Sequence, residues 1–398
     1  MTIQNALERI LAMPERDLRA QGLAATPREI RQQPATWRDT RTRVANARDE
    51  LIEFLAAAGV GTGVTEQTAV TLVGAGSSDY VGRALVHLLR RAWRTHVEAI
   101  PSTDLLTNMD DLVSADRPGL WISFSRSGDS PEAVAVVDAA LERFPRVHHL
   151  LVTCNAEGRI VADFGDRPNV ARVVLADAVN DRGLAMTSSF TNMVVAGQCL
   201  AHLDDLDAFT EVVERESRAA EALLEHETDS IARLVAEGCS QVVFLGTGPL
   251  AAVARESALK VVELTAGSVA SWSETFLGVR HGPLSAIDDE TLVVGFVSTD
   301  PTCRSYETDL FAELRRKGIG RLAAVAPASA AAELGTVVDT VISIGGDADI
   351  PDLYRPPVDT IIGQLFGLFA SIACGLEPDT PSPNGAISRV VSGVRIHR

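Results

Sequence analysis

Three short stretches gather side chains that could do chemistry. The first, "SRSGDS" at residues 125–130, brings Ser125, Ser127 and Ser130 together with Arg126 and a glycine. It follows the apolar run "GLWISF", which reads as a strand, and precedes "PEAVAVVDAALERF", which reads as a helix with Pro131 at a favoured first position. Hydroxyls and backbone amides converging at the C-terminal end of a parallel strand suit a phosphate. A Ser N-cap with a local hydroxyl turn would explain Ser130 but not three hydroxyls, so the phosphate cradle is the favoured reading. Arg126 either supplies charge there or extends to solvent.

The second stretch, "GAGSSDY" at 74–80, also leaves a strand and opens a helix, aiming its amides and the hydroxyls of Ser77 and Ser78 at the place an anion would take. It lacks the third glycine of a dinucleotide loop, and no acidic residue ends a second strand about 20 residues on. A plain strand-to-helix turn stays open beside the anion reading.

The third, "RESALKVVELTAG" at 255–267, is helical and sets Glu256, Lys260 and Glu263 at i, i+4 and i+7. Such spacing describes either a solvated salt-bridge stripe or, in a dry cleft, a carboxylate tuned as a general base by its lysine. Lysine is scarce: only Lys260 and Lys317 occur, so 34 of the 36 basic residues are arginine. In "VRHGPLS" (279–285), His281 stands out among eight histidines for its loop position before a strand.

Elements able to position these groups recur along the chain. Residues 1 to about 68 read as helices, a cap or a dimer arm. Beyond them, "AVTLVGAG", "GLWISF", "VHHLLVTC", "QVVFLGTG", "TLVVGFVS", "GRLAAVAP" and "VVDTVISI" alternate with helical stretches, which predicts right-handed β-α-β units and parallel sheets covered on both faces. One unit occurs twice, offset by 172 residues: "VTLVGAGSSDYVGRALVHLL" (70–89) matches "VVFLGTGPLAAVARESALKV" (242–261), and residues 120–144 match 292–316. What the halves share is architecture. Where the first has "SRSGDS" the second has "STDPTC", and only the second carries the charged stripe and the histidine loop.

Composition narrows the function classes. The 398 residues suit two or three domains, and 46% apolar residues with 5% aromatic suit helices packed on buried strands, an α/β class. A formal charge of −17 without a basic patch argues against nucleic acid and anionic membranes. Five cysteines, odd in number and without C-x-x-C spacing, indicate neither a disulfide framework nor a zinc site, and fit a reducing cytoplasm. The N-terminus does not read as a signal peptide, and the apolar run at 360–376 contains Gln364 and reads as a buried helix.

Together "GAGSS", "SRSGDS", "ESALKVVELTAG" and "RHGPL", in this order over two repeated units, resemble the sugar isomerase (SIS) domain family. "REIRQQPATW", "LAMTSSFTNM", "SETFLGVRHGP" and "PNGAISRVVSGVRI" resemble its tagatose-6-phosphate ketose/aldose isomerase or galactosamine-6-phosphate deaminase subgroup, over nearly the whole chain. The resemblance implies two tandem three-layer α/β/α SIS domains with parallel sheets, at 51–215 and 216–375, after an N-terminal helical segment (1–50) and before a tail (376–398) that completes the site. It implies that Ser77, Ser125, Ser127 and Ser130 hold phosphate, with Arg126 beside them, and that Ser78, Ser188 and Ser189 line the substrate site. It further implies Glu263 as the base shuttling a proton between sugar C1 and C2, Lys260 one helical turn before it, and His281 as the ring-opening group, often reaching across a dimer.

Relatives that make glucosamine 6-phosphate carry a glutaminase domain in front and a lysine near the C-terminus. Here no N-terminal Cys nucleophile and no lysine after 317 are found, so synthesis from glutamine is not expected. The expectation is a cytoplasmic deaminase/isomerase, acting on galactosamine 6-phosphate without metal or organic cofactor, as a homodimer or higher homo-oligomer. If C2 bears an amine, isomerisation gives a ketose imine that water hydrolyses to ketose and ammonia. The alternatives are plain aldose/ketose phosphate isomerisation and a non-catalytic sugar-phosphate sensor. Retention of Glu263 and His281 favours catalysis. The role of Glu274, in "SETF", stays open.

Overall fold

A computed structural model describes residues 4–61, 64, 68–114, 117–346, 349–391 and 393–397. It groups them into two compact units. One comprises the described residues within 35–181, 188–213 and 387–398, the other those within 1–34, 182–187 and 214–386.

The first of these units is built on β1 (Ala69–Gly74), β2 (Val97–Pro101), β3 (Gly119–Ser125), β4 (Val147–Thr153) and β5 (Val170–Val174). All pair in parallel, in the order β2-β1-β3-β4-β5. Alternation along β1 shows why the sheet needs two helical layers. Val73 joins Trp121, Leu105, Met109 and Val136 in one core cluster. Leu72 points the other way, against Gly82 of the helix Ser77–Trp93, where a β-carbon would come within 2.9 Å of it. That helix in turn packs on the wholly buried helix Ser188–Leu200.

The second unit repeats the plan with β6 (Gln241–Gly246), β7 (Ala270–Glu274), β8 (Thr291–Phe296), β9 (Arg321–Pro327) and β10 (Thr340–Ile344), ordered β10-β9-β8-β6-β7. Strand β8 takes the place of β3, and the registers agree: Val70 pairs with Leu120 and Val242 with Leu292, each pair displaced by the 172 residues of the sequence repeat. On one face Val243, Leu245 and Val293 meet Phe276, Phe311 and Leu314. On the other, Phe244 stacks edge-on against Phe366 of the helix Pro356–Ala373 at 6.0 Å.

The turns that feed each sheet edge also correspond. Gly76 and Gly248 precede their helices at φ 55° and 59°, a backbone conformation that favours glycine. Among the described residues one helix, Pro356–Ala373, is long and apolar enough to cross a bilayer; 89% of it is buried inside the protein. It packs on Pro249–Leu264 through Gly363 and Gly367, where a β-carbon would lie 2.3 Å from Ser257 Oγ or 2.7 Å from Leu264 Cδ1. The helix Thr26–Asn46 is capped from far along the chain: Asp379 Oδ1 accepts from Thr26 N at 2.7 Å and Oδ2 from Ala25 N at 2.9 Å.

Candidate active site

In the unit of the first sheet, β3 ends at Ser125, and the helix Pro131–Arg143 begins six residues later with proline in its first turn. Between them Ser125 Oγ accepts from Gly128 N at 3.1 Å and Ser127 Oγ from Asp129 N at 3.2 Å. Both serines are buried, and among the described residues neither hydroxyl proton has an acceptor. The loop thus fixes two oxygens and leaves two O–H groups to give. Gly128, at φ 69°, lies so close to Gly158 that a β-carbon would come within 3.1 Å of its Cα. Ser130 turns aside, donating to Glu132 Oε2 at 2.9 Å.

Arg126 does not extend to solvent. It is 7% exposed and its Nη2 donates to the carbonyl of Arg389, in the tail. Arg389 continues the chain of contacts: its Nε donates to the Asp181 carbonyl at 2.6 Å and its Nη2 to Asn180 Oδ1 at 2.5 Å. The Asp181 carboxylate in turn accepts from Ser188 N (3.1 Å), Ser189 N (2.9 Å) and Ser189 Oγ (2.5 Å), at the start of a helix where an anion is favoured. So the Ser189 hydroxyl is committed to Asp181. Ser77 and Ser78 are buried at the head of the helix Ser77–Trp93, with Asp79 Oδ2 bound to Arg83 Nε at 2.7 Å. Sequence reading missed Asn180, Asp181 and Arg389, because their partners lie up to 263 residues apart and no local spacing marks them.

In the other unit, the helix Pro249–Leu264 carries the charged stripe, and it is not solvated. Lys260 and Glu256 are fully buried; the Glu263 side chain keeps 24% of its surface. Lys260 Nζ lies 2.5 Å from Glu263 Oε2 and 3.2 Å from Glu256 Oε1. Burial alone would drive the ammonium toward neutrality, but the two carboxylates more than reverse that and hold its pKa above the usual lysine range. A permanent cation therefore clamps Glu263, the one member of the trio that reaches the surface. Such a carboxylate can accept a proton and return it without leaving its place.

His281 ends the short turn Gly278–Arg280 and is exposed, and its ring has no hydrogen bond or ion pair to the described residues. Beside it Arg280 is tied to Glu313 at 2.9 Å. Glu274 closes β7, its Oε1 accepting from Thr275 N at 2.7 Å.

No family model matches the chain. A Streptomyces coelicolor protein provisionally named D-galactosamine-6-phosphate deaminase AgaS is 41% identical over 375 residues, 94% of this chain and 95% of its own length. The Escherichia coli D-galactosamine-6-phosphate deaminase AgaS is 36% identical over 389 residues, again 94% of this chain and 95% of its own. Among solved structures, one from Clostridium novyi NT, provisionally named tagatose-6-phosphate ketose/aldose isomerase, superposes with a TM-score of 0.91 at 33% identity, covering 98% of both chains. Repeated sheets, a hydroxyl-lined loop and a buried lysine–carboxylate trio thus coincide with identity along nearly the whole length, and the chain belongs to the AgaS family of SIS-domain sugar-phosphate enzymes.

Proposed function

We propose that the chain deaminates galactosamine 6-phosphate to tagatose 6-phosphate and ammonia. The observation that carries the mechanism is the clamp of Lys260 on the half-buried Glu263 carboxylate. On the open-chain amino sugar, Glu263 takes the proton from C2 and returns it to C1. A second proton passes from the amine nitrogen to the C1 oxygen, so the C1 aldehyde becomes a hydroxymethyl group and the C2 amine an imine. Water adds to that imine and expels ammonia, leaving the C2 ketone. General acid–base transfer of this kind requires no metal or organic cofactor.

Ser125 and Ser127, with their free hydroxyl protons, bind the phosphate; Ser77 and Arg126 support them, and Ser78, Ser188 and Ser189 line the sugar. Ser130 contributes through its place at the loop's end. His281 opens the ring, and its exposure suits a role completed by a second copy of the chain, so a homodimer or higher homo-oligomer in the cytoplasm is part of the reading. The identity to AgaS proteins supports the substrate.

A second reading, isomerisation of an unaminated aldose phosphate, is favoured by the name of the Clostridium novyi structure and needs the same proton transfer without the hydrolysis. Incubating the protein with galactosamine 6-phosphate and, separately, glucosamine 6-phosphate, with ammonia and ketose phosphate measured together, tests both. Ammonia from the galacto sugar is the expected result. Ketose phosphate from unaminated aldose phosphates, and no ammonia from either amino sugar, moves the assignment to the isomerase.

A further inference from the structure

The loop after β8 stands where the loop proposed above to bind phosphate stands after β3. The strand registers coincide at the 172-residue offset, and each loop leads into a helix with proline in its first turn, Pro131–Arg143 or Pro301–Lys317. In the second unit the Ser298 and Thr299 donors of that loop are taken by the protein's own carboxylates. Asp352 accepts from Ser298 Oγ, from Thr299 N at 2.9 Å, from Thr299 Oγ1 at 2.9 Å and from Arg355 Nη1 at 3.1 Å. Glu307 accepts from Ser298 N at 2.7 Å and from Cys303 Sγ at 3.4 Å.

Two hydroxyls, a loop amide and a guanidinium converging on one group are the donor set that recognises a phosphate. Ser298 is 1% exposed and Arg355 fully buried, so the set is built into the fold. Arg355 is fixed from its other side by Asp359 at 2.7 Å. Asp352 keeps 19% of its side-chain surface, so the position it fills borders solvent. At the repeat offset, the residue matching Glu307 in the first unit is Ala135, which brings no charge.

We propose that Ser298, Thr299 and Arg355 form a second cradle for a tetrahedral oxyanion of the phosphate class, which the chain keeps shut by holding the Asp352 carboxylate in it as a built-in anion. A tethered group competes at an effective concentration of about millimolar or more, which displaces a weakly held free anion. The chain therefore presents one open phosphate loop, and the other is a lock whose key is Asp352. The contacts of Asp352 stand independently of the activity proposed above.

The test is equilibrium dialysis of radiolabelled inorganic phosphate against the full-length protein and Asp352→Ala. The variant is expected to hold one more equivalent per chain than the wild type, and the gain is expected to vanish in Asp352→Ala/Ser298→Ala/Thr299→Val. A folded Asp352→Ala with unchanged stoichiometry overturns the proposal, as does a gain that survives the triple change. If Asp352→Ala is too unstable for dialysis, its melting temperature is compared in phosphate and in chloride at equal ionic strength. Stabilisation by phosphate at least about twice that of the wild type supports the cradle; equal stabilisation overturns it.

Discussion

Lys260 Nζ stands 2.5 Å from Glu263 Oε2, with the lysine wholly buried and the carboxylate still reaching the surface. The pair places a fixed positive charge behind the proposed base. Glu263→Gln keeps the shape and the hydrogen bond to Lys260 but removes the proton acceptor. Its turnover is expected to fall by about 10²–10⁴-fold, with the dissociation constant for substrate near the wild-type value. Turnover within a few-fold of wild type removes Glu263 from the mechanism.

Lys260 also holds the interior together electrostatically. Lys260→Met leaves Glu256 buried without its cation and is expected to destabilise the protein by about 3–5 kcal/mol in urea unfolding. Adding Glu256→Gln removes the stranded charge, so the double variant is expected to regain a large part of that stability while staying inactive. If the second change brings no recovery, the cost of Lys260→Met lies in packing.

For the loop after β3, the measurement is a split of kinetic constants. Ser127→Ala removes one hydroxyl donor and is expected to raise KM by roughly 10-fold or more, the cost of one hydrogen bond to a charged group, and to leave kcat nearly unchanged. A lowered kcat at constant KM points to a role in the proton transfer, against the phosphate reading.

His149, in β4, gives a signature in pH. It is 0% exposed, its ring stands edge-on to Trp121 at 5.5 Å, and among the described residues neither ring nitrogen has a hydrogen-bond partner. Burial, helped by the neighbouring His148, lowers its pKa to about 4. The native state therefore holds this ring neutral, while the unfolded chain takes up a proton below about pH 6.5. Stability from this residue is complete above that pH. It declines by about 1.4 kcal/mol per pH unit as pH falls toward 4, some ~3 kcal/mol in all. Urea midpoints at pH 7 and pH 5 are expected to converge in His149→Phe; an equal acid loss in that variant assigns the effect elsewhere.

The seven apolar runs read from the sequence are β1, β3, β4, β6, β8, β9 and β10, and the 172-residue repeat reappears in the pairing of Val70 with Leu120 and Val242 with Leu292. The three strands that reading passed over, β2, β5 and β7, all lie at sheet edges. Edge strands bury less, so "VEAIP" and "ASWSE" carry no continuous apolar run to announce them. The charged stripe was legible as a spacing but not as an environment. Whether Glu256, Lys260 and Glu263 meet water depends on the helix Pro356–Ala373 laid over theirs, about a hundred residues on. Asp352 was invisible for a related reason: it does its work on an amide and hydroxyls more than fifty residues before it.

The cap that Asp379 places on the helix Thr26–Asn46 sets an order of events during synthesis. Its two ends are 353 residues apart, and at about 5–20 residues per second the ribosome takes on the order of tens of seconds to deliver the second after the first. Over that interval Ala25 and Thr26 hold amides with no carboxylate to receive them. The first long helix is therefore finished late, and losing Asp379 would leave it uncapped.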